Sequence, residues 1–203
     1  MTPIAPTADD RPEQTALLRR GIRLEQATLG WNVAGIVVLT VAATRARSVA
    51  LAGFGLDSLV EIGASTVVLW ELSGTGEARQ RTALRLIGGA FLALSAYIAV
   101  QSAVVLATAF HPRHSTLGIV WTAITAVVML ALARGKTTTG QALGNPVLTT
   151  EGRVTLVDAL LAAAVLIGLA LNSLVGAWWA DPLAGLVIVC YGIRVTRGIF
   201  THH

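Results

Sequence analysis

Two carboxylic acids, Asp57 and Glu61, stand inside an apolar segment, GFGLDSLVEIGAS at residues 53 to 65. Because they are four residues apart, they lie on one face of a helix, one turn from each other. Glu151 and Asp158 are seven residues apart in a second apolar segment, so a helix places them at nearly one azimuth, about 10 Å apart along its axis. Adjacent carboxylates repel each other, and a divalent cation relieves that repulsion while displacing protons. These four acids are therefore candidate ligands of a metal ion.

The elements that position these acids are expected to be membrane-spanning helices. Hydrophobic residues make up 54% of the 203 and charged residues 13%, with a mean hydropathy of +0.70, whereas a soluble domain is usually about 25% charged. A carboxylate near the centre of a membrane helix costs about 2.5 to 3.5 kcal/mol on insertion scales. Asp57, Glu61 and Asp158 together then cost roughly 8 to 10 kcal/mol, which indicates a functional reason for keeping them.

The segments without charge predict an all-α membrane protein with six transmembrane helices. Residues 1–25 are expected to form a cytoplasmic tail, helical from Pro12 onward, before a six-helix domain at residues 26–198. Residues 199–203 are expected to form a short C-terminal tail. Polar connections are predicted at residues 71–85 and, as the longest one, at residues 134–150. The six spans are expected at residues 26–44, 48–70, 86–110, 116–133, 151–172 and 182–198.

The basic residues predict that both termini are cytoplasmic. Twelve of the Lys and Arg residues, Lys136 among them, fall on the side of the termini and three on the other side. By the positive-inside rule, this distribution indicates a multi-pass protein of the cell membrane with its termini inside. Trp31 is expected near the inner interface and Trp121 near the outer one, as anchoring residues.

Buried acids in a membrane protein can also be held by an ion pair or by neutral hydrogen bonding instead of a metal ion. No arginine or lysine is expected in the central part of any span, so an ion pair inside the bundle has no evident donor. The acids would otherwise be neutral and hydrogen-bonded to Ser, Thr, Asn32 or Gln101 side chains. Intramembrane ionisable residues usually serve function, which favours a cation site. Ser58 lies beside Asp57 without a histidine or lysine base in the membrane, so an enzyme is not expected.

Three stretches of the chain carry a resemblance to a known family. GFGLDSLVEIGAS, TTEGRVTLVDALLAAAVLIGLALN and WWADPLAGLVIV resemble the transmembrane domain of the cation diffusion facilitators, also called the cation efflux family. The resemblance implies proton-coupled export of Zn²⁺, Mn²⁺, Fe²⁺, Co²⁺ or Cd²⁺ by alternating access in a homodimer. It assigns Asp57, Glu61 and Asp158 as metal ligands between the second and fifth helices. Val154 stands where the family usually has His or Asp, so Glu151 either supplies the missing oxygen or serves a second site on the cytoplasmic side.

The rest of the sequence refines this hypothesis. The cytoplasmic metal-binding domain of the family is not expected, and neither is a resident cofactor or a nucleic-acid partner. His111 and His114, in an external turn, and the C-terminal His202 and His203 are expected to be solvated. A carboxylate site without His or Cys suits Mn²⁺, Fe²⁺ or Mg²⁺, although zinc also binds oxygen. The competing hypothesis is a non-transporting membrane scaffold or regulatory subunit with a degenerate metal site.

Overall fold

The structure, a computed structural model, is helical throughout its described regular elements, which confirms the predicted all-α class. The part of the chain that the structure describes contains five helices with defined bounds: α1 (Asp10–Ala46), α2 (Val49–Leu72), α3 (Glu77–Thr108), α4 (Thr116–Leu143) and α5 (Pro146–Val175). The predicted sixth span and the four histidines lie largely or wholly outside the described residues. Those residues are 10–46, 49–74, 77–109, 115–177, 179, 183, 189–190 and 193–194.

Four of the five described helices are long and apolar enough to cross a membrane. They are α1 from Pro12, α3 from Ala78, α4 and α5, whereas α2, the helix of Asp57 and Glu61, is not one of the four. Large apolar side chains on their outer faces are exposed, with Val127 at 70% and Leu174 at 81%. Some charged side chains, Lys136 and Asp158 among them, are buried in the interior, which is where membrane proteins usually keep the ionisable residues of their spans.

The helices pack as a bundle in which α2 contacts α1, α3 and α5, while α4 packs on α1 and, most extensively, on α5. Two glycines allow the close approach of α4 and α5. A Cβ atom on Gly140 would stand 2.6 Å from the Thr149 backbone nitrogen, and one on Gly152 would stand 2.7 Å from the Thr137 backbone nitrogen. Because such distances are below any real contact of a Cβ, larger residues there would push the two helices apart.

The predicted connection at residues 134–150 is wrong, because nearly all of it is helical. Between α4 and α5 the helical conformation stops only at Gly144 and Asn145. Gly144 ends α4 with a positive φ of 62°, which glycine adopts without steric cost. The Asn145 side chain accepts a hydrogen bond from the Leu148 N–H at 2.9 Å, and Pro146 follows at the first helical position. We call the end of the bundle at Gly144 and Asn145 the turn end.

Other predicted boundaries also shift toward longer helices. α3 begins at Glu77, so most of the predicted polar connection at residues 71–85 is helical. The expected separation of Trp31 and Trp121 to opposite interfaces is wrong as well. Their rings stack with centroids 4.9 Å apart, and the Trp31 indole N–H donates to Thr125 Oγ1 at 3.2 Å. Two stacked rings cannot lie at opposite faces of a membrane. Trp31 and Trp121 instead pack α1 against α4.

Candidate cation site

The register between α2 and α5 is set at the turn end. The Asn145 amide donates to both carboxylate oxygens of Glu71, at 3.3 and 3.1 Å. Glu61 lies ten residues before Glu71 in α2, and Thr155 lies ten residues after Asn145 in α5. Since each helix rises about 1.5 Å per residue, both side chains stand about 15 Å from the turn end. They meet there, and the Thr155 hydroxyl donates to Glu61 Oε1 at 3.1 Å.

Three predicted ligands come together at and just beyond the level of Glu61, further from the turn end. Asp57, Glu61 and Asp158 are all at least 96% buried. The Glu61 and Asp158 carboxyl groups lie close enough to interact electrostatically, and Asp57 interacts in the same way with both. We call these three side chains the carboxyl cluster. Their helices are α2 and α5, the two that the sequence predicted.

Several oxygen atoms of the carboxyl cluster have no hydrogen-bond partner within the described part of the chain. They are Oδ1 of Asp57 and both carboxylate oxygens of Asp158. Two side chains that the sequence offered as candidate partners of the acids, Asn32 and Ser58, hydrogen-bond within their own helices. Asn32 donates to the Thr28 carbonyl at 3.0 Å, and Ser58 donates to the Phe54 carbonyl at 3.4 Å. A buried carboxylate oxygen without a donor is costly, so these atoms favour a proton or a cation beside them.

The fourth predicted ligand, Glu151, lies in a different group from the other three. It is fully buried on α5 and faces Lys136 on α4, with 3.3 Å between Oε1 and Nζ. Glu25, on α1, approaches the same ammonium with 3.0 Å between Oε2 and Nζ. All three side chains have 0% exposure. We call Glu25, Lys136 and Glu151 the charged triad.

The charged triad contradicts two expectations from the sequence. Lys136 does not lie on a cytoplasmic connection, and the bundle does contain a buried ion pair. Glu25 is not part of a solvated tail, because α1 continues through it and carries it into the interior. One signal in the sequence points to this pairing. Lys136 lies eight residues before Gly144 and Glu151 six residues after Asn145, so an antiparallel helix pair with a two-residue turn brings them to similar depth.

Thr155 connects the charged triad to the carboxyl cluster. Its hydroxyl oxygen accepts a hydrogen bond from Lys136 Nζ at 3.0 Å and its proton is donated to Glu61. The hydroxyl has a single proton, so acceptance from the ammonium leaves that proton directed at the carboxylate. Lys136 on α4 therefore orients the Glu61 carboxylate indirectly, through the Thr155 hydroxyl.

The position that the resemblance marks as a missing ligand is apolar in the structure. Val154 is 4% exposed and belongs to the hydrophobic core, together with Val157 and Leu161 of the same helix. Within the described residues, no group of three or more His, Cys, Asp or Glu side chains is arranged closely enough to hold a metal ion. The carboxyl cluster is thus a collection of interacting acids that would have to draw together around a cation. No protein-family model matches the chain.

Proposed function

We propose that the protein is a divalent metal cation transporter, which exports its substrate from the cytoplasm in exchange for protons. The observation that carries this proposal is the carboxyl cluster, in which Asp57, Glu61 and Asp158 are buried together between α2 and α5. Acids inside an apolar bundle are costly to keep, and partnerless carboxylate oxygens increase that cost. A divalent cation bridging the two helices would satisfy these oxygens.

Proton exchange follows from the chemistry of the same atoms. Carboxylates must lose their protons before they bind a metal ion, so metal and protons compete for one site. The cluster draws its ligands from two separate helices, so a relative movement of α2 and α5 would open and close the site, as alternating access requires. We propose that cytoplasmic termini, a homodimeric assembly and the kinship with the cation diffusion facilitators accompany this function.

The donor set argues for hard or borderline metal ions. Three carboxyl groups without a nitrogen or sulfur donor favour Mn²⁺ or Fe²⁺, and Zn²⁺ also accepts oxygen ligands. Asp57, Glu61 and Asp158 are proposed to bind the substrate. Glu151, whose Oε1 atom is directed at Lys136, is not one of these ligands and is proposed to stand on the cytoplasmic side of that site.

Transport measurements in proteoliposomes test this function. We expect an inward Mn²⁺ or Zn²⁺ gradient to drive proton flux with the wild-type chain, and Asp57→Asn or Asp158→Asn to reduce that flux to the level of empty vesicles. Glu13→Gln is the control, because Glu13 is an exposed acid of α1 that takes no part in the carboxyl cluster. Wild-type flux in both cluster variants would refute the site.

A scaffold or regulatory subunit without transport is the second candidate. Two observations favour this candidate. Val154 stands in place of a ligand, and the described residues contain no group of three His, Cys, Asp or Glu side chains that could hold a metal ion. Isothermal titration with Mn²⁺ separates the two functions. A transporter should bind Mn²⁺ in a manner that Asp57→Asn abolishes, whereas a scaffold should show no binding that depends on Asp57.

A further inference from the structure

The Lys136 ammonium is surrounded by oxygen atoms in the way a bound cation would be. Glu25 Oε2, Glu151 Oε1 and Thr155 Oγ1 stand 3.0, 3.3 and 3.0 Å from Nζ. The oxygens come from α1 and α5, while the ammonium comes from α4. All three charged side chains are completely buried. Oxygen atoms of three side chains therefore line a position for a positive charge, and the Lys136 ammonium occupies that position.

This position is distinct from the carboxyl cluster. Glu151 precedes Asp158 by seven residues of α5, which is about 10 Å nearer the turn end. Glu25 belongs to α1, a helix that contributes nothing to the carboxyl cluster. The Thr155 hydroxyl links the two groups, because it accepts a hydrogen bond from Lys136 and donates one to Glu61.

The oxygen atoms at this position exceed what the ammonium uses. Glu151 Oε2 is buried and has no hydrogen-bond partner in the described structure. Two carboxylates can balance two positive charges, and Lys136 brings one. A divalent cation would match that charge, and carboxylate and hydroxyl oxygens are suitable ligands for it. The Lys136 ammonium occupies this position in preference to a free cation, because its covalent attachment to α4 gives it a high effective concentration there.

We propose that Glu25 and Glu151 form a second cation site, of which the Lys136 ammonium is the tethered occupant, and that a divalent cation binds there when the ammonium is removed. In the wild-type chain, Lys136 thus excludes free cations from this position. The inference goes beyond the proposed transport, because it concerns binding at other residues and holds whether or not the chain moves ions.

The test uses the full chain, purified in detergent, with the carboxyl cluster disabled by Asp57→Asn and Asp158→Asn. In this background Lys136→Met removes the ammonium and keeps a side chain of similar length, and Lys136→Arg is the matched control that retains the charge. Titration calorimetry with Mn²⁺ should show one additional ion bound per chain in the Met variant and none with Lys or Arg. Adding Glu151→Gln or Glu25→Gln to the Met variant should abolish that binding.

Loss of the ammonium leaves two buried carboxylates without a counter-ion, so the Met variant is expected to be less stable. This loss supplies a second measurement, because a cation that binds the folded state raises the unfolding temperature. Mn²⁺ should stabilise the Met variant more than the Arg variant, and Glu151→Gln should remove the difference. If Lys136→Met cannot be purified even with Mn²⁺ present, Lys136→Gln, which keeps a hydrogen-bond donor, takes its place in the same comparison.

The outcomes separate this inference from the proposed transport. Extra Mn²⁺ binding that depends on Glu25 and Glu151 supports the second site, even if the wild-type chain transports nothing. The inference is overturned if neither Lys136→Met nor Lys136→Gln gains Mn²⁺ binding or stabilisation. It is also overturned if the gained binding persists in the absence of both Glu25 and Glu151 carboxylates.

Discussion

Removing the two carboxylates of the charged triad singly and together should destabilise the protein in a strongly non-additive way. Lys136 Nζ is 3.0 Å from Glu25 and 3.3 Å from Glu151. At an effective dielectric constant of about 20, the gross attractions are about 5.5 and about 5.0 kcal/mol, before the cost of desolvation. The ammonium is thus shared almost equally, and either carboxylate alone can keep it paired.

The single substitutions Glu25→Gln and Glu151→Gln should therefore each cost little, about 1 to 2 kcal/mol of unfolding free energy. Each removes one attraction, but it also removes the repulsion between the two carboxylates and the burial cost of one of them. The double substitution leaves a buried ammonium that faces neutral groups alone at this position, the two introduced amides and the Thr155 hydroxyl. Breaking a buried ion pair by removing its partners costs about 3 to 5 kcal/mol. We expect the double variant to exceed the sum of the singles by about 1 kcal/mol or more.

Unfolding in mixed micelles, followed by the fluorescence of the five tryptophans, measures these free energies. The control cycle pairs Glu25→Gln with Glu71→Gln, since Glu71 is also buried but is bonded to Asn145 instead of Lys136. That cycle should be additive to within about 0.5 kcal/mol. An additive result for Glu25 and Glu151 would show that the ammonium is not shared, and would refute the triad as the structural link between α1, α4 and α5.

Two further substitutions test the connections of the site. Thr155→Val keeps the shape of the side chain but removes the hydrogen bonds to Lys136 and Glu61. It should therefore weaken Mn²⁺ binding at the carboxyl cluster, whereas Thr155→Ser should retain that binding. Equal Mn²⁺ affinities of the two variants in a titration would contradict the link through Thr155. Asn145→Ala removes both the cap of α5 and the bond to Glu71 and should cost about 1 to 2 kcal/mol in the same unfolding assay. Asn145→Asp keeps the cap but faces Glu71 with a like charge, and a stability no lower than wild type would argue against that contact.

The sequence was sufficient for the features that depend on local pattern. Low charge and long apolar runs predicted helices, and the four-residue spacing of Asp57 and Glu61 predicted their shared face of α2. The seven-residue spacing of Glu151 and Asp158 did not bring those two acids into one group, because about 10 Å along a helix is enough to give them different neighbours. Their partners belong to other helices, about which spacing within α5 says nothing.

What only the tertiary structure decided is which charges are hidden. Lys136 and the threonines after it resemble a solvated connection in sequence, because a basic and hydroxyl-rich segment is typical of a loop. Close packing of α4 against α5 at Gly140 and Gly152 keeps this segment helical and buries its lysine. Glu25 reaches the same position from more than 100 residues away in sequence. Helix periodicity is local information, whereas the pairing of a buried charge depends on a partner that folding alone brings near.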